Sequence, residues 1–252
     1  MALLRPLVIF AGLLALWQAI VWLSGVEPFI LPGPWAVLLA LVAQWQSLAQ
    51  HAAVTLSEIA VGLLLGLLLG CASALAIASF PPARRWLLPL LVISQAIPVF
   101  AIAPLLVLWL GYGMPSKIAM TMMIIYFPVT AAFSDGLRRT EPGWLDLAQT
   151  MSASRWRTQF HIRIPAALPA LASGIRVATA VAPIGAVVGE WVGSSAGLGY
   201  AMLQANARFQ TDRLMAALFL LAMIALTFYY VVDWSLRRAL PWQPDTATRA
   251  ED

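Results

Sequence analysis

Six apolar stretches, each about long enough to cross a membrane as a helix, constrain this fold more than any other feature. A helix needs about 20 mostly apolar residues to cross a bilayer. Hydrophobic residues make up 62% of the 252 residues and charged residues 10%, which excludes a water-soluble monomer. We predict an all-α, polytopic membrane protein with one transmembrane domain, residues 1–252. The six predicted spans are residues 7–24, 52–79, 86–110, 117–134, 166–189 and 214–235.

Two segments near the N-terminus need separate interpretation. The first span could be a signal peptide, but bulky Trp17 and Trp22 stand where small cleavage-site residues are expected. An uncleaved first span is therefore favoured. Residues 35–50 alternate apolar and polar positions at helical spacing and are too polar to span, which predicts a helix lying at the membrane interface.

The basic residues lie mostly on one side of the predicted bundle. If the loops alternate sides, the N-terminus, residues 80–85, residues 135–165 and the C-terminal tail share one side. These segments hold eleven of the fifteen Lys and Arg residues. Positively charged loops remain in the cytoplasm. The sequence therefore predicts that both termini are cytoplasmic.

The rare residue types exclude several kinds of site. Cys71 is the only cysteine, and the two histidines are far apart, which excludes a cysteine-built metal site and disfavours a histidine cluster. The only lysine, Lys117, follows no glycine-rich phosphate loop, so any ATP hydrolysis requires another chain. We predict no metal, no cofactor, no nucleic-acid partner and no catalysis by this chain.

The second span carries a stripe of small residues that begins at an acidic residue. Gly62, Gly66 and Gly70 recur at intervals of four, and Glu58 precedes them on the same stripe. Small residues allow a neighbouring helix to approach closely, either as permanent packing or as a sliding or dimer face. A charge facing lipid is costly, so Glu58 faces protein. It either contacts substrate or pairs with Arg213 or another cation on that side.

Other polar residues and prolines mark a candidate translocation pathway. In the third span, Gln95 lies beside Pro98 and Pro104, which indicates either a bent helix against a polar pathway or a static kink. Arg176, inside the fifth span, either guards the vestibule or ties two helices together. The candidate pathway residues are Glu58, Gln95, Pro98, Phe100, Arg176 and Glu190.

The polar loop at residues 135–165 is predicted to form two short amphipathic helices. Trp144, Leu147, Ala148 and Met151 fall on one face of the first helix. The second carries Trp156 and Phe160, four residues apart, and Pro165 is expected to end it before the fifth span. Such a face either docks a partner or rests on anionic lipid headgroups.

This loop resembles the cytoplasmic EAA loop of permease subunits of bacterial binding-protein-dependent ABC importers. That pattern is E-A-A, three residues, G, nine residues, I-x-L-P. This chain has Asp146-Leu147-Ala148, then Ser152, then Ile162-Arg163-Ile164-Pro165 at the same spacing. It departs at Asp146, Leu147 and Ser152, and serine in place of glycine is expected to stiffen the bend. The resemblance implies docking on an ATP-binding subunit through Trp144, Asp146, Leu147, Ala148, Ser152, Ile162, Ile164 and Pro165.

The resemblance extends over about residues 31–236. Leu31–Pro34, Ile97–Gly113, Leu168–Ala170 and Val188–Tyr200 are similar to a branch that includes permeases for nitrate, taurine, aliphatic sulfonates and thiamine-precursor pyrimidines. Within it, Pro98–Pro104 and Ala182–Trp191 look most like hydroxymethylpyrimidine permeases.

The family implies a type I importer bundle in the bacterial inner membrane, with two copies of this chain embedded in lipid around a pathway. An ATP-binding subunit would drive alternating access, and an extracytoplasmic binding protein would deliver a small solute, here hydroxymethylpyrimidine. Taurine, aliphatic sulfonates or nitrate are the alternative substrates. A secondary transporter or channel acting alone is the alternative of a different class, and a membrane anchor without transport is a third.

Overall fold

The computed structural model describes residues 4–242, so residues 243–252 of the predicted tail lie outside it. The described chain folds into α-helices and one π-helical turn, Gln159–Arg163. The α-helices are α1 (Leu4–Ser24), α2 (Pro34–Ala43), α3 (Trp45–Ser79), α4 (Pro81–Ala96), α5 (Val99–Leu110), α6 (Met114–Arg138), α7 (Pro142–Thr150), α8 (Arg155–Thr158), α9 (Ile164–Gly193), α10 (Leu198–Ala207) and α11 (Thr211–Ala239).

The glycine stripe of α3 packs against α6 in the centre of the bundle. A Cβ atom on Gly62 would lie 2.6 Å from the side chain of Thr121, and one on Gly70 would lie 2.8 Å from Val129. No larger residue fits there unless a helix moves, because real Cβ contacts are longer. Permanent packing within the chain, one of the two interpretations of the stripe, is therefore confirmed.

Helix α9 encloses the other side of α6 in the same way. A Cβ atom on Gly185 would lie 2.6 Å from Thr121 Cα, and one on Gly174 would lie 2.6 Å from Ala132 Cβ. Helix α6 is therefore held between α3 and α9, with backbone near backbone on both sides. The apolar residues of this centre, such as Ile59, are fully buried.

The third predicted span is broken more sharply than a kinked helix. Helices α4 and α5 meet at an angle of 103°, and the break falls at Ile97 and Pro98. Proline lacks an N–H and disfavours helical geometry in the residue before it. Ile97 is accordingly extended, with φ −97° and ψ 115°. The sequence predicted a bend in this span but not its size.

Four helical segments of the described chain are long and apolar enough to span a membrane. They are Trp45–Ser79, Met114–Arg138, Arg155–Gly193 and Thr211–Ala239, and the bent α4–α5 pair makes a fifth if it counts as one span. Ala11–Ser24, within α1, and Pro34–Ala43 are shorter apolar helices. The total of six spans stays a prediction.

The predicted interfacial helix is divided between two elements. Helix α2 ends at Ala43, and α3 begins at Trp45, seven residues before the predicted start of the second span at 52. The two helices meet at Gln44, whose φ of −112° departs from helical geometry. The polar residues that argued against spanning lie in the first turns of one long helix.

The loops of the described chain gather at two ends of the bundle. At one end, Ala74 of α3 packs with Leu137, near the start of the 135–165 loop, and with Ala167, just after its end. We name this end, with its turn at Phe80, the arginine-rich end. At the opposite end, the Thr211 hydroxyl donates a hydrogen bond to the carbonyl oxygen of Phe29. The grouping matches loop alternation, while the sidedness stays a prediction.

Candidate functional site

Helix α7 presents an apolar stripe to its surroundings at the arginine-rich end. Pro142 begins the helix, where its missing N–H leaves no hydrogen bond unmade. Trp144 is 49% exposed, Leu147 61% and Met151 74%, and their spacing of three and four places them on one face. This stripe is about half or more exposed in the described chain.

Ala148 does not belong to that exposed face. Its exposed fraction is 4%, and Leu145, three residues earlier, is half-buried on the same inward side. Helical spacing predicts which residues share a face, but not which face meets the body of the protein. Ala148 is therefore covered by this chain itself, unlike Trp144 and Leu147, with which the sequence pattern grouped it, whereas Asp146 is exposed.

Ser152 occupies the position where the EAA pattern has glycine, and its backbone explains that preference. Its φ is +54°, in the left-handed region. The Ser152 N–H donates to Gln149 O at 2.9 Å, and the Ala153 N–H donates to Ala148 O at 2.9 Å. These two bonds are the Schellman motif, which ends α7 and usually has glycine at this position. The bend is present despite the serine.

The second short helix runs into the fifth span without a stop. Ser154 caps α8 by accepting a hydrogen bond from Arg157 N–H at 3.3 Å, and the rings of Trp156 and Phe160 stack 5.9 Å apart. The π-helical turn then leads into α9. Pro165 lies in the first turn of α9, where proline is tolerated, so the expected stop was wrong. Ile162 and Ile164 are half-buried, and Pro165 is exposed.

A buried ionic cluster lies towards the opposite end of the bundle. Glu58 on α3 is fully buried, and Lys117 Nζ on α6 lies 3.6 Å from its Oε1 atom. Neither carboxylate oxygen of Glu58 has a hydrogen-bond partner. Glu190 on α9 is 1% exposed and interacts electrostatically with Glu58. The cluster therefore joins two carboxyl groups and one amine inside the central three helices.

Glu190 also holds the N-terminus of α10. Its Oε1 atom accepts a hydrogen bond from the Thr55 hydroxyl at 2.6 Å, and its Oε2 atom accepts one from Gly199 N–H. Leu198 N–H donates to the Thr55 oxygen at 2.8 Å. A carboxylate at a helix N-terminus satisfies free N–H groups and complements the helix dipole. These contacts fix the 194–210 segment to the bundle.

Arg176 ties two helices together, one of its two predicted roles. Its Nε atom lies 2.6 Å from Asp233 Oδ1 on α11, and Arg237 Nε lies 2.9 Å from Asp233 Oδ2. The side chain of Arg176 is 24% exposed and that of Asp233 15%. The pair braces α9 against α11.

The remaining candidate pathway residues lie at the α4–α5 break. Gln95, Pro98 and Phe100 are all exposed, and Phe100 is 59% exposed. Gln95 Nε2 donates only a long hydrogen bond, 3.4 Å, to its neighbour Ser94. The break thus places polar side chains and non-helical backbone on the surface of the single chain.

The six candidate pathway residues therefore form three separate groups: the break, the buried cluster and the α9–α11 brace.

Sequence reasoning missed Lys117, Thr55, His51 and Asp233 as partners. A sequence signal existed for Lys117. It begins the fourth predicted span, and Glu58 lies near the start of the second predicted span, on the same predicted side. His51 Nδ1 accepts a hydrogen bond from Gly197 N–H at 3.1 Å, which no spacing rule indicates. Among the described residues, no three acidic, Cys or His side chains are placed to hold a metal.

Comparison with known proteins identifies similar sequences. Residues 62–242 match the family described as binding-protein-dependent transport system inner membrane component. A Haemophilus influenzae protein named probable ABC transporter permease is 57% identical over 94% of this chain and 96% of its own length. The formylaminopyrimidine transport permease ThiX of Halalkalibacterium halodurans is 34% identical over 95% and 96%, respectively.

Other relatives carry different substrate names. The riboflavin transport permease RibX of Chloroflexus aurantiacus is 37% identical over 92% of this chain and 87% of its own length. Permeases named for taurine and for aliphatic sulfonates also match, at 30% and 29% identity. In fold, the chain is similar to one from inward-facing structures of the MetNI methionine ABC transporter, with a TM-score of 0.68 and 17% identity. That match covers 78% of this chain and 97% of the other.

Proposed function

The chain belongs to the binding-protein-dependent transport system inner membrane components, the permease subunits of ABC importers, and we propose that it forms the pathway by which a small solute crosses the bacterial inner membrane. A separate ATP-binding subunit hydrolyses ATP and drives alternating access. An extracytoplasmic binding protein delivers the solute. The chain itself contributes transport and no catalysis.

The exposed stripe on α7 is the observation that carries this proposal. Trp144, Leu147 and Met151 project from the arginine-rich end, where a lone helix face of this kind is unfavourable in water. A groove on the ATP-binding subunit covers them, and Asp146 lies beside them for polar contact. We assign the arginine-rich end and both termini to the cytoplasm, because positively charged loops remain there.

The α4–α5 break supports a second copy of the chain and a polar pathway. Irregular backbone is not tolerated against lipid, because its polar groups find no partner there. The exposed Gln95 and Pro98 therefore face a water-filled pathway between two copies, and Phe100 lines it. Glu58, Glu190 and Arg176 brace each copy from within, since each already contacts a partner in its own chain.

The opposite end receives the binding protein. The 194–210 segment lies there, secured by Glu190 and Thr55. A fixed outer surface lets an extracytoplasmic protein dock in one orientation and release its solute into the pathway. We assign this end to the side of the membrane away from the cytoplasm, because the positively charged loops lie at the other end.

A thiamine-precursor pyrimidine such as hydroxymethylpyrimidine is the substrate we propose. A relative named for formylaminopyrimidine supports it, and so do the Pro98–Pro104 and Ala182–Trp191 runs. Lys117 and Arg176 each face a carboxylate, so neither offers an uncompensated positive charge to a sulfonate or nitrate. An anionic substrate such as taurine or an alkyl sulfonate is the alternative within the family.

A test of coupling uses matched tryptophan substitutions at the arginine-rich end. We expect Trp144→Ser with Leu147→Ser to lose co-purification with the co-encoded ATP-binding subunit and to lower ATP-driven uptake in proteoliposomes more than tenfold. Trp242→Ser, at an exposed tryptophan outside α7, is the control and should retain both. Full complex and full uptake in the double variant would contradict the proposal.

Uptake by this chain alone would favour the rival class. Reconstituted without the ATP-binding subunit, a secondary transporter would accumulate solute under an ion gradient, whereas the permease subunit should not. Binding of radiolabelled hydroxymethylpyrimidine or taurine by the purified cognate binding protein separates the two substrate proposals.

A further inference from the structure

A cavity lies behind the 135–165 loop, on the side facing the bundle. Its volume is about 1180 Å³, and it is bounded by the end of α3, the start of α4 and side chains of the loop, among them Leu145 and Gln149. The exposed α7 stripe points elsewhere, since Trp144 and Leu147 are not among the lining residues. The cavity is therefore distinct from the proposed docking face.

The cavity is strongly basic. Four arginines line it, Arg84, Arg85, Arg155 and Arg163. An adjoining cavity of about 260 Å³ shares Arg84 and Arg163 and adds Arg138. None of the described residues lining either cavity is acidic. Like charges gathered around one space repel each other, and an anion bound between them relieves that repulsion.

Two buried donors in this lining have no hydrogen-bond partner. Gln159 is 7% exposed, and its Nε2 atom is unpaired. The Nε atom of the half-buried Arg163 is also unpaired. Buried donors almost always find an acceptor, because leaving one unpaired is unfavourable. Both side chains therefore indicate a missing acceptor rather than a solvated surface.

We propose that this cavity binds a phosphate group, carried by an anionic membrane lipid. Guanidinium groups match phosphate oxygens with paired hydrogen bonds, and Arg163 and Arg84 are placed to supply them. Basic pockets between membrane helices on the cytoplasmic side suit lipid headgroups. Apolar Leu88 and Pro89 of α4 and Trp156 also line the cavity, which gives an acyl chain an apolar path that free phosphate does not need.

A bound phosphate would join α4 to the loop. Arg84 belongs to α4, whereas Gln159 and Arg163 belong to the π-helical turn that leads into α9. An anion contacting all three holds the inner side of the loop against α4 while the outer side of α7 remains available. The site thus links lipid composition to the position of the proposed docking face. A lipid as the source of the phosphate rests on the proposed function, which places that face in the cytoplasm.

The test measures binding to the purified full-length chain in neutral detergent. The probes are dioctanoyl phosphatidylglycerol, dioctanoyl phosphatidylcholine and inorganic phosphate. Binding of each probe is measured by thermal shift and by titration. We expect saturable binding of phosphatidylglycerol and at least tenfold weaker binding of the other two. Arg163→Gln should weaken phosphatidylglycerol binding about tenfold, as loss of a charge-assisted hydrogen bond implies.

Two further variants make the result decisive. Gln159→Leu leaves the charge unchanged and should weaken binding several-fold, which separates a built site from general attraction to arginines. Arg157→Gln removes an exposed charge from the same segment outside the cavity and should have no effect. Equal effects of Arg157→Gln and Arg163→Gln, or no effect of Gln159→Leu, would overturn the site. Equal, Arg163-dependent binding of inorganic phosphate would retain the phosphate site but reject a lipid as its source.

Discussion

Thr55 on α3 and Glu190 on α9 are joined by a hydrogen bond of 2.6 Å in the buried interior of the bundle. The same Thr55 hydroxyl oxygen accepts the Leu198 N–H of α10 at 2.8 Å. One hydroxyl group therefore connects three helices. The position of the 194–210 segment depends on this contact, because Glu190 also accepts the Gly199 N–H.

Replacing this hydroxyl with a methyl group should loosen that junction. We expect Thr55→Val to lower the free energy of unfolding by about 1–3 kcal/mol, because it leaves a buried N–H and a carboxylate oxygen without a partner. Valine has nearly the same shape, so packing is retained. Chemical unfolding of the detergent-solubilised chain, followed by tryptophan fluorescence, measures the change.

Thr179→Val is the matched control for that prediction. Thr179 is 1% exposed, and its hydroxyl donates only to Ile175 O within its own helix, at 2.7 Å. Its loss leaves no additional helix unanchored, so the change should be below about 1 kcal/mol. Equal losses in the two variants would show that Thr55 does not join the three helices energetically.

The ion pair between Lys117 and Glu58 gives a second prediction. Removing one partner of a buried pair leaves an uncompensated charge, so Lys117→Met should cost about 3–5 kcal/mol of unfolding free energy. Adding Glu58→Gln to Lys117→Met should recover a substantial part of that loss. Thermal unfolding of both variants, together with the wild type, provides the measurement.

Arg213 provides the comparison for Lys117. It is exposed near the same end, and its Nη1 atom donates a hydrogen bond to Gln210 Oε1 at 2.8 Å. Arg213→Met should change the free energy of unfolding by less than about 0.5 kcal/mol, as surface substitutions usually do. The burial argument fails if Lys117→Met is equally mild.

Ser152 predicts a substitution that stabilises the protein. A left-handed backbone costs a residue with a side chain about 1–2 kcal/mol, and glycine adopts it freely. We therefore expect Ser152→Gly to raise the free energy of unfolding by about 0.5–1 kcal/mol, reduced from the full cost by glycine's greater freedom in the unfolded chain. Hydrogen exchange of the α7 amides should slow if this end of the helix is the affected part.

Ser154→Gly, two residues later, tests whether glycine helps only at the left-handed position. Ser154 has a φ of −65° and caps α8 through its side chain. Glycine there loses the cap and should lower the free energy of unfolding by a few tenths of a kcal/mol. A gain in both variants would refute the assignment of strain to Ser152.

The brace between α9 and α11 should contribute measurably to stability. Asp233→Ala leaves the half-buried Arg176 without its 2.6 Å acceptor, and we expect a loss of about 1–3 kcal/mol in unfolding free energy. Asp135→Ala, at an exposed carboxylate of α6, should change it by less than about 0.5 kcal/mol. Denaturant titration of both variants makes the comparison, and equal values would argue against a brace.

Apolar length and glycine spacing were sufficient to predict the helical architecture and the packing of the α3 stripe. These features are local, so they are visible along the sequence. The pairing of Glu58 with Lys117 joins residues 59 positions apart, and only the assembly of three helices brings them together. The sequence predicted a cationic partner for Glu58 on the same side and offered Arg213, but it did not name Lys117.

The angle at Pro98 and the inward position of Ala148 were harder to predict. A proline marks where a helix weakens, but the 103° angle depends on what packs against each half. Likewise, helical periodicity grouped Ala148 with Leu147, although only contact with the body of the protein decides which side is covered. The EAA spacing, in contrast, located the bend at Ser152 because a left-handed residue leaves a strong sequence preference for glycine.

Helix α9 begins beside the 135–165 loop and carries Glu190 near its other end. At 1.5 Å per residue, its 30 residues form a rod of about 45 Å. Because Gly174 and Gly185 pack this helix closely against α6, we expect a push on α7 to tilt the central helices together rather than slide one past another. A tilt of about 5° displaces the far tip of such a rod by about 4 Å. That leverage would carry a motion at the arginine-rich end directly to the opposite end of the bundle.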